Sequence, residues 1–373
     1  MKLIALPHKV CDLTCMVNGL EDLYEWKTGV RLPDRLLLQT SGLCTGFGYF
    51  KSKSAPAPRM VFWGTTTKRQ YEALAGVVGF TWHVIEGRSF PFTLQRAKGY
   101  IDRELPIILG ALDMYHLPYY DKFYHQFHIP IHYVLMVGYD DEHKVVLVHD
   151  CGRAEVQAVS YADLEQAWNV TVPGVSGKNT LFAFEFNDQV ADVAAIARQG
   201  YARRAEAMLN PPTSMFGIKG MRKLAHELPH WPEELGVGLD ASLRHLAEYT
   251  GYPPMPPNRL TGYDAPDNHA AGRDTVAVLL KHLAKEHGEP AWVEAAALFE
   301  QSGQTLVKLT EAIVDYVLCS TQADFNPGRA AMQAQVPIST EHSMGEASSL
   351  EAAARLVSQV AELEEQAYWL LRR

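Results

Sequence analysis

The chain has no long hydrophobic run, no cluster of basic residues and no regular cysteine frame. Each absence removes a class of function. The apolar residues that open the sequence stop at Pro7, too early for a secretory core or a membrane span, so a cytoplasmic protein that does not enter a membrane is expected. Lys and Arg number 34 against 43 Asp and Glu, a formal net charge of −9. Binding to a phosphate backbone needs clustered cations, so no nucleic-acid partner is expected. The five cysteines, Cys11, Cys15, Cys44, Cys151 and Cys319, are odd in number and irregular in spacing, which suits thiols in a reducing compartment better than a disulfide scaffold. No fixed-period repeat is found, which removes the solenoid classes.

What is present fills two domains: 373 residues, 47% of them apolar. Strand-like runs lie at residues 60–64, 80–86, 106–112, 132–139, 145–150 and 181–186. They predict an α+β domain with a largely antiparallel sheet over residues 1–187. From about residue 190 the pattern turns helical, in 190–209, 275–287 and 348–373, so an all-helical domain is expected over 188–373. The proline cluster YPPMPPNRL, 252–260, reads as a connector within it, because each proline removes a backbone donor.

Two constellations could carry chemistry. The first is CDLTCMVNGLEDLYEWKTG, whose apolar positions Leu13, Met16, Val17, Leu20, Leu23 and Tyr24 have helical spacing and close at Gly29. Cys11 then lies at or just before the first turn, where the helix dipole and unpaired N–H groups favour a thiolate and can hold an oxyanion. Cys11, Cys15, Asn18 and Asp22 share the face opposite the apolar stripe. A buried structural cysteine and a metal site built from His8, Cys11 and Cys15 are the competing readings; the latter lacks a second ligand pair.

The second constellation is HYVLMVGYDDEHKVVLVHD, two β-rich runs joined at Asp140–Glu142. With Tyr139 facing His143 across a three-residue turn, His132 falls opposite Asp150, close enough for the carboxylate to orient the imidazole. A strand-end His with a turn Asp is the competing reading. His125 and His128 have metal-like spacing without a third ligand, so neither a metal nor a cofactor is expected. The order Cys, His, Asp, with the thiol on a helix and the other two on a sheet, is the papain-type arrangement, in which a thioester passes its acyl group to water or an amine.

The motifs CDLTCMVNGL (11–20), TSGLCTGFGYF (40–50), LDMYHLPYY (112–120), HYVLMVGYDDE (132–142) and VHD (148–150) carry a resemblance to the butirosin-biosynthesis protein H family. SYADLEQAW (160–168) and FGIKGMRKLAHELPHW (216–231) extend it into the helical half. The resemblance implies a papain-like domain that moves an acyl group from a carrier-protein thioester to a small-molecule amine, with Cys11, His132 and Asp150 as nucleophile, base and orienter. Asn18, Asp113, Tyr115, Tyr119 and Tyr120 are assigned to the substrate pocket, and Lys219, Arg222 and Lys223 are candidates to receive an acidic carrier. The sequence departs from the family at Val10, where members often carry His, and at Cys44 and Thr45 inside the glycine-rich stretch. A peptidase or amidase with the same residues, and a non-catalytic binding module, remain alternatives.

Overall fold

The computed structural model describes residues 1–11, 15–250, 270–321 and 349–372. The proline-rich connector at 252–260 and Leu13 of the apolar stripe lie outside the described residues, and the side chain of Cys319 is likewise outside them.

In chain order the elements of the first half are β1 (Lys2–Leu3), α1 (Cys15–Thr28), α2 (Leu36–Ser41), β2 (Gly48–Lys51), β3 (Arg59–Phe62), α3 (Thr67–Leu74), β4 (Phe80–Ile85), α4 (Phe90–Asp102) and β5 (Ile107–Leu112). They continue with β6 (His132–Asp140), β7 (Val145–Asp150), β8 (Arg153–Ser160), α5 (Tyr161–Trp168) and β9 (Leu181–Phe186). The helical half comprises α6 (Val193–Leu209), α7 (Gly217–Glu227), α8 (Trp231–Leu235), α9 (Leu239–Thr250), α10 (Arg273–His287), α11 (Pro290–Thr321) and α12 (Leu350–Leu371). The protein is therefore α+β with helices following, as its sequence pattern predicts.

Two compact units divide the chain. The first holds residues 1–41 and 66–196; the second holds 42–65 and the described residues from 197 onward. The hairpin β2–β3 thus folds with the helical unit rather than with the sheet, where its strand-like run at 60–64 had placed it. Its two strands pair with each other, Gly48 bridges to Phe216, and Tyr49 N–H donates to the Met215 carbonyl at 2.8 Å, ahead of α7.

The first unit is built on an antiparallel seven-stranded sheet in the order β4-β9-β5-β6-β7-β8, with β1 also on β6. β5 and most of β6 are buried on both faces, which is why they read as continuous apolar runs instead of alternating ones. β8 is an edge strand with Ala154, Glu155, Val156 and Ala158 exposed, and its mixed sequence gave no strand signal.

α1 packs directly on this sheet. Gly19 permits the approach: a Cβ there would stand 3.0 Å from Leu135 Cβ and 3.2 Å from Ile108 Cγ1. The helix ends where the sequence places its stop, with Gly29 at a φ of 72° and its N–H on the Glu25 carbonyl at 2.7 Å. Its polar face is not solvated, since Asn18, Glu21 and Asp22 are as buried as Val17 and Leu20. Buried polar groups need partners. Those of Asn18 and Asp22 decide what the helix positions.

Candidate active site

Cys15 lies in α1, at the start of its described span. Its side chain lies in hydrogen-bonding contact with His132, the first residue of β6. His132 Nε2 is 2.7 Å from Asp150 Oδ2, at the end of β7. With Nε2 committed to the carboxylate, Nδ1 is the ring nitrogen left to face the thiol.

The sequence places the nucleophile at Cys11; the thiol in contact with His132 is that of Cys15. Cys11 is instead buried, with its N–H donating to the Cys151 carbonyl at 3.0 Å. Cys11, Cys15, Cys44 and Cys151 form no disulfide.

The register of the β6–β7 hairpin also differs. Asp140 faces Val145 across a four-residue turn, and pairing shifts by one residue between Met136 and Gly138. The longer turn is stabilised by Asp140 itself, whose Oδ1 accepts from Glu142 N–H at 2.9 Å and whose Oδ2 is 2.8 Å from His143 Nδ1, with Lys144 at a φ of 56°. Leu135 pairs with His149, so continuing that register sets Val134 opposite Asp150 and His132 two residues along on the same face. A diagonal neighbour is still within reach of long side chains. The two groups therefore meet although they are not directly opposed.

Asp150 is completely buried and accepts four hydrogen bonds: from His132, from Tyr119 Oη at 2.7 Å, from Tyr120 Oη at 2.7 Å and from Gly152 N–H at 3.1 Å. Burial opposes its charge, but the attraction of His132 and these donors outweigh it and lower the pKa to about 2. For His132, burial likewise opposes the cation; the Asp150 carboxylate, with help from Cys15, overcomes it and raises the pKa to about 10. The arrangement stabilises a charged imidazolium between a carboxylate and a sulfur. Such a ring can hold a thiolate, then give up and recover one proton.

Tyr119 and Tyr120, expected in the substrate pocket, spend their hydroxyls on Asp150. Arg153 holds the segment that carries them, with one guanidinium nitrogen donating to the Tyr119 carbonyl at 2.6 Å and the group 4.6 Å from the Tyr120 ring centroid. Asn18 donates from its amide to the Lys9 carbonyl at 2.9 Å. Asp113 caps the turn that follows β5, accepting from Tyr115 N–H and Ile129 N–H, and its other oxygen is 2.6 Å from His128 Nδ1. Tyr115 stacks on His128 with ring centroids 4.1 Å apart. Of the three basic candidates, Arg222 is paired with Glu365 at 2.6 Å.

Sequence reasoning missed two further features. Tyr133, next to His132, is a buried phenol that feels the charge of Cys15. His8, Asp22 and His149 form a second buried cluster, with one donor atom from each lying within 4.8 Å of the others. The shared helical face of Cys15, Asn18 and Asp22 is the sequence signal that points to it.

Residues 14–151 match the family described as Butirosin biosynthesis protein H, N-terminal, and residues 162–250 match a domain of unknown function (DUF4872). The first match begins at Thr14, so it includes Cys15 and leaves out Cys11. No curated protein sequence matches the chain.

Proposed function

The chain belongs to the family of butirosin biosynthesis protein H, and from that premise we propose that it is an acyltransferase of secondary metabolism using a thioester on Cys15. The observation that carries this reading is the chain of contacts from Cys15 of α1 through His132 to Asp150. In the first step the Cys15 thiolate attacks the carbonyl of an acyl thioester donor. The donor thiolate leaves, and the His132 imidazolium supplies its proton. Acylation removes the sulfur charge that helped hold that proton, so the neutral imidazole is poised to act as base. In the second step an amine attacks the acyl-Cys15 carbonyl, His132 takes the amine proton, and Cys15 departs as thiolate. Asp150 keeps the ring oriented throughout and stays ionised.

The donor is proposed to be carried on an acyl carrier protein and the acceptor to be a small-molecule amine. The description of the family as a biosynthesis protein supports transfer over hydrolysis. The test is to load the purified protein with acyl thioesters and follow discharge of the acyl-enzyme by mass. Discharge faster by amines than by water supports a transferase. Water as the better acceptor would instead support a hydrolase with the same residues, and a reactive Cys15 that never accepts an acyl group would support a binding module.

A further inference from the structure

We propose that His8 is a positioning residue for the same centre, a clamp between α1 and the β7–β8 turn that fixes Asp150 against His132. The inference rests on the reading of Cys15, His132 and Asp150 as the reacting set. Its basis is a pair of contacts on opposite sides of one ring. His8 Nδ1 is 2.6 Å from Asp22 Oδ2, on α1, the helix that carries Cys15. His8 Nε2 is 2.9 Å from the Arg153 carbonyl and 3.2 Å from the Asp150 carbonyl. The turn that carries the Asp150 carboxylate is thereby tied to the helix that carries the thiol. Without the clamp, Gly152 N–H and the two tyrosines would still bind the carboxylate, but the backbone beneath it would lose its link to α1.

The charges around the ring favour this role. Carbonyl oxygens only accept, so Nε2 must carry a proton; a carboxylate at 2.6 Å requires one on Nδ1 as well. His8 is then an imidazolium. Burial opposes that charge, but the hydrogen bond and attraction of Asp22, with the two carbonyls, raise its pKa. Asp22 is held below the ordinary carboxylate range, against its burial, by His149 and His8, and Arg31 donates to it at 2.8 Å. Glu21 and His149 of β7 are further titratable neighbours; His149 is stacked on His8 with centroids 4.3 Å apart, its Nδ1 3.8 Å from Asp22 Oδ2. Both ring nitrogens of His8 already face acceptors, and Arg31 pairs with the carboxylate. A proton therefore suits the cluster better than a metal.

The experiment follows the His132 ring by nuclear magnetic resonance in protein carrying isotope-labelled histidine, for the full chain, His8→Asn and Asp22→Asn. This readout does not require acyl transfer, so failure of the functional reading and failure of the clamp are distinguishable. The expected result is a His132 titration midpoint lowered by at least about one unit in His8→Asn, equivalent to about a tenfold loss of proton affinity, and by less in Asp22→Asn, which keeps a polar group of the same size. Where turnover is measured, kcat falls in both variants while KM is held within about twofold, the pattern of a lost transition-state interaction. An unchanged His132 midpoint in folded His8→Asn or folded Asp22→Asn protein would reduce His8 to a structural residue. A midpoint in the full chain that moves on adding a chelator would overturn the clamp in favour of a metal site.

Discussion

Each unit of this protein buries an ion pair, and the two pairs are built to opposite ends. In the helical unit, Arg273 of α10 and Glu364 of α12 are fully buried and joined by two hydrogen bonds, 2.7 and 2.8 Å long. Ser302 of α11 donates to the same carboxylate at 2.8 Å, and Arg273 also donates to the Cys44 carbonyl at 2.8 Å while covering the Trp63 ring. The pair joins three helices to the loop ahead of β2. An arginine does not release its proton in this setting, so nothing in it can shuttle. In the sheet unit the cation is His132, which can lose its proton, and the third member is the Cys15 thiol. Burial of opposite charges is common to both; only a titratable cation beside a nucleophile makes such a pair useful for chemistry. The departures at Cys44 and Thr45 belong to the structural pair: the Thr45 carbonyl accepts from Tyr368 Oη at 2.8 Å.

The sharpest way to separate the pairs is by substitution. Cys15→Ala should abolish acyl-enzyme formation and turnover, while Cys11→Ala should leave both intact, measured by intact mass and steady-state rate. Asp150→Asn should lower kcat by about 10² to 10⁴, the range spanned by general acid–base groups, with the protein still folded by circular dichroism. Glu364→Gln should behave in the reverse sense. Leaving Arg273 buried without its partner charge costs about 3–5 kcal/mol, seen in the denaturation midpoint, and leaves the His132 titration unmoved.

pH distinguishes them as well. His132 has a folded pKa of about 10 against an ordinary value of 6.5, so its contribution to stability is complete below pH 6.5 and is lost as pH rises through about 10. Asp150, lowered from 3.8 to about 2, contributes above 3.8 and loses that contribution as pH falls through about 2. Denaturant midpoints of wild type and His132→Gln should therefore converge toward alkaline pH. The smallest expected effect is at Gly19→Ala, where the added methyl group meets Leu135 and Ile108. Overpacking of this kind costs about 1–3 kcal/mol, and the loss should appear in stability before it appears in rate.

The sheet was legible because its central strands are buried on both faces and so read as apolar runs; β5, β6, β7 and β9 fall within a residue or so of their expected places. β8 was not, since an exposed edge strand has no apolar pattern to detect. The helical half was partly legible: α6, α10 and α12 follow their apolar stripes, while the 32-residue α11 was not singled out. At the candidate site, His132 and Asp150 could be paired on a hairpin, yet the assumed register was wrong because Asp140 stabilises a longer turn. Cys11 and Cys15 share one face of the expected helix, and periodicity gives a face without showing which of its thiols meets His132. Tyr119 and Tyr120 were visible as a pair, but nothing in spacing alone shows that their hydroxyls turn to Asp150.

The most direct measurement is to acylate the protein with a thioester, digest it under conditions that preserve the thioester, and map the modified cysteine by mass. Acyl label on Cys15, with none on Cys11 and none in Cys15→Ala, is the predicted result. Label on Cys11 that persists in Cys15→Ala would contradict it.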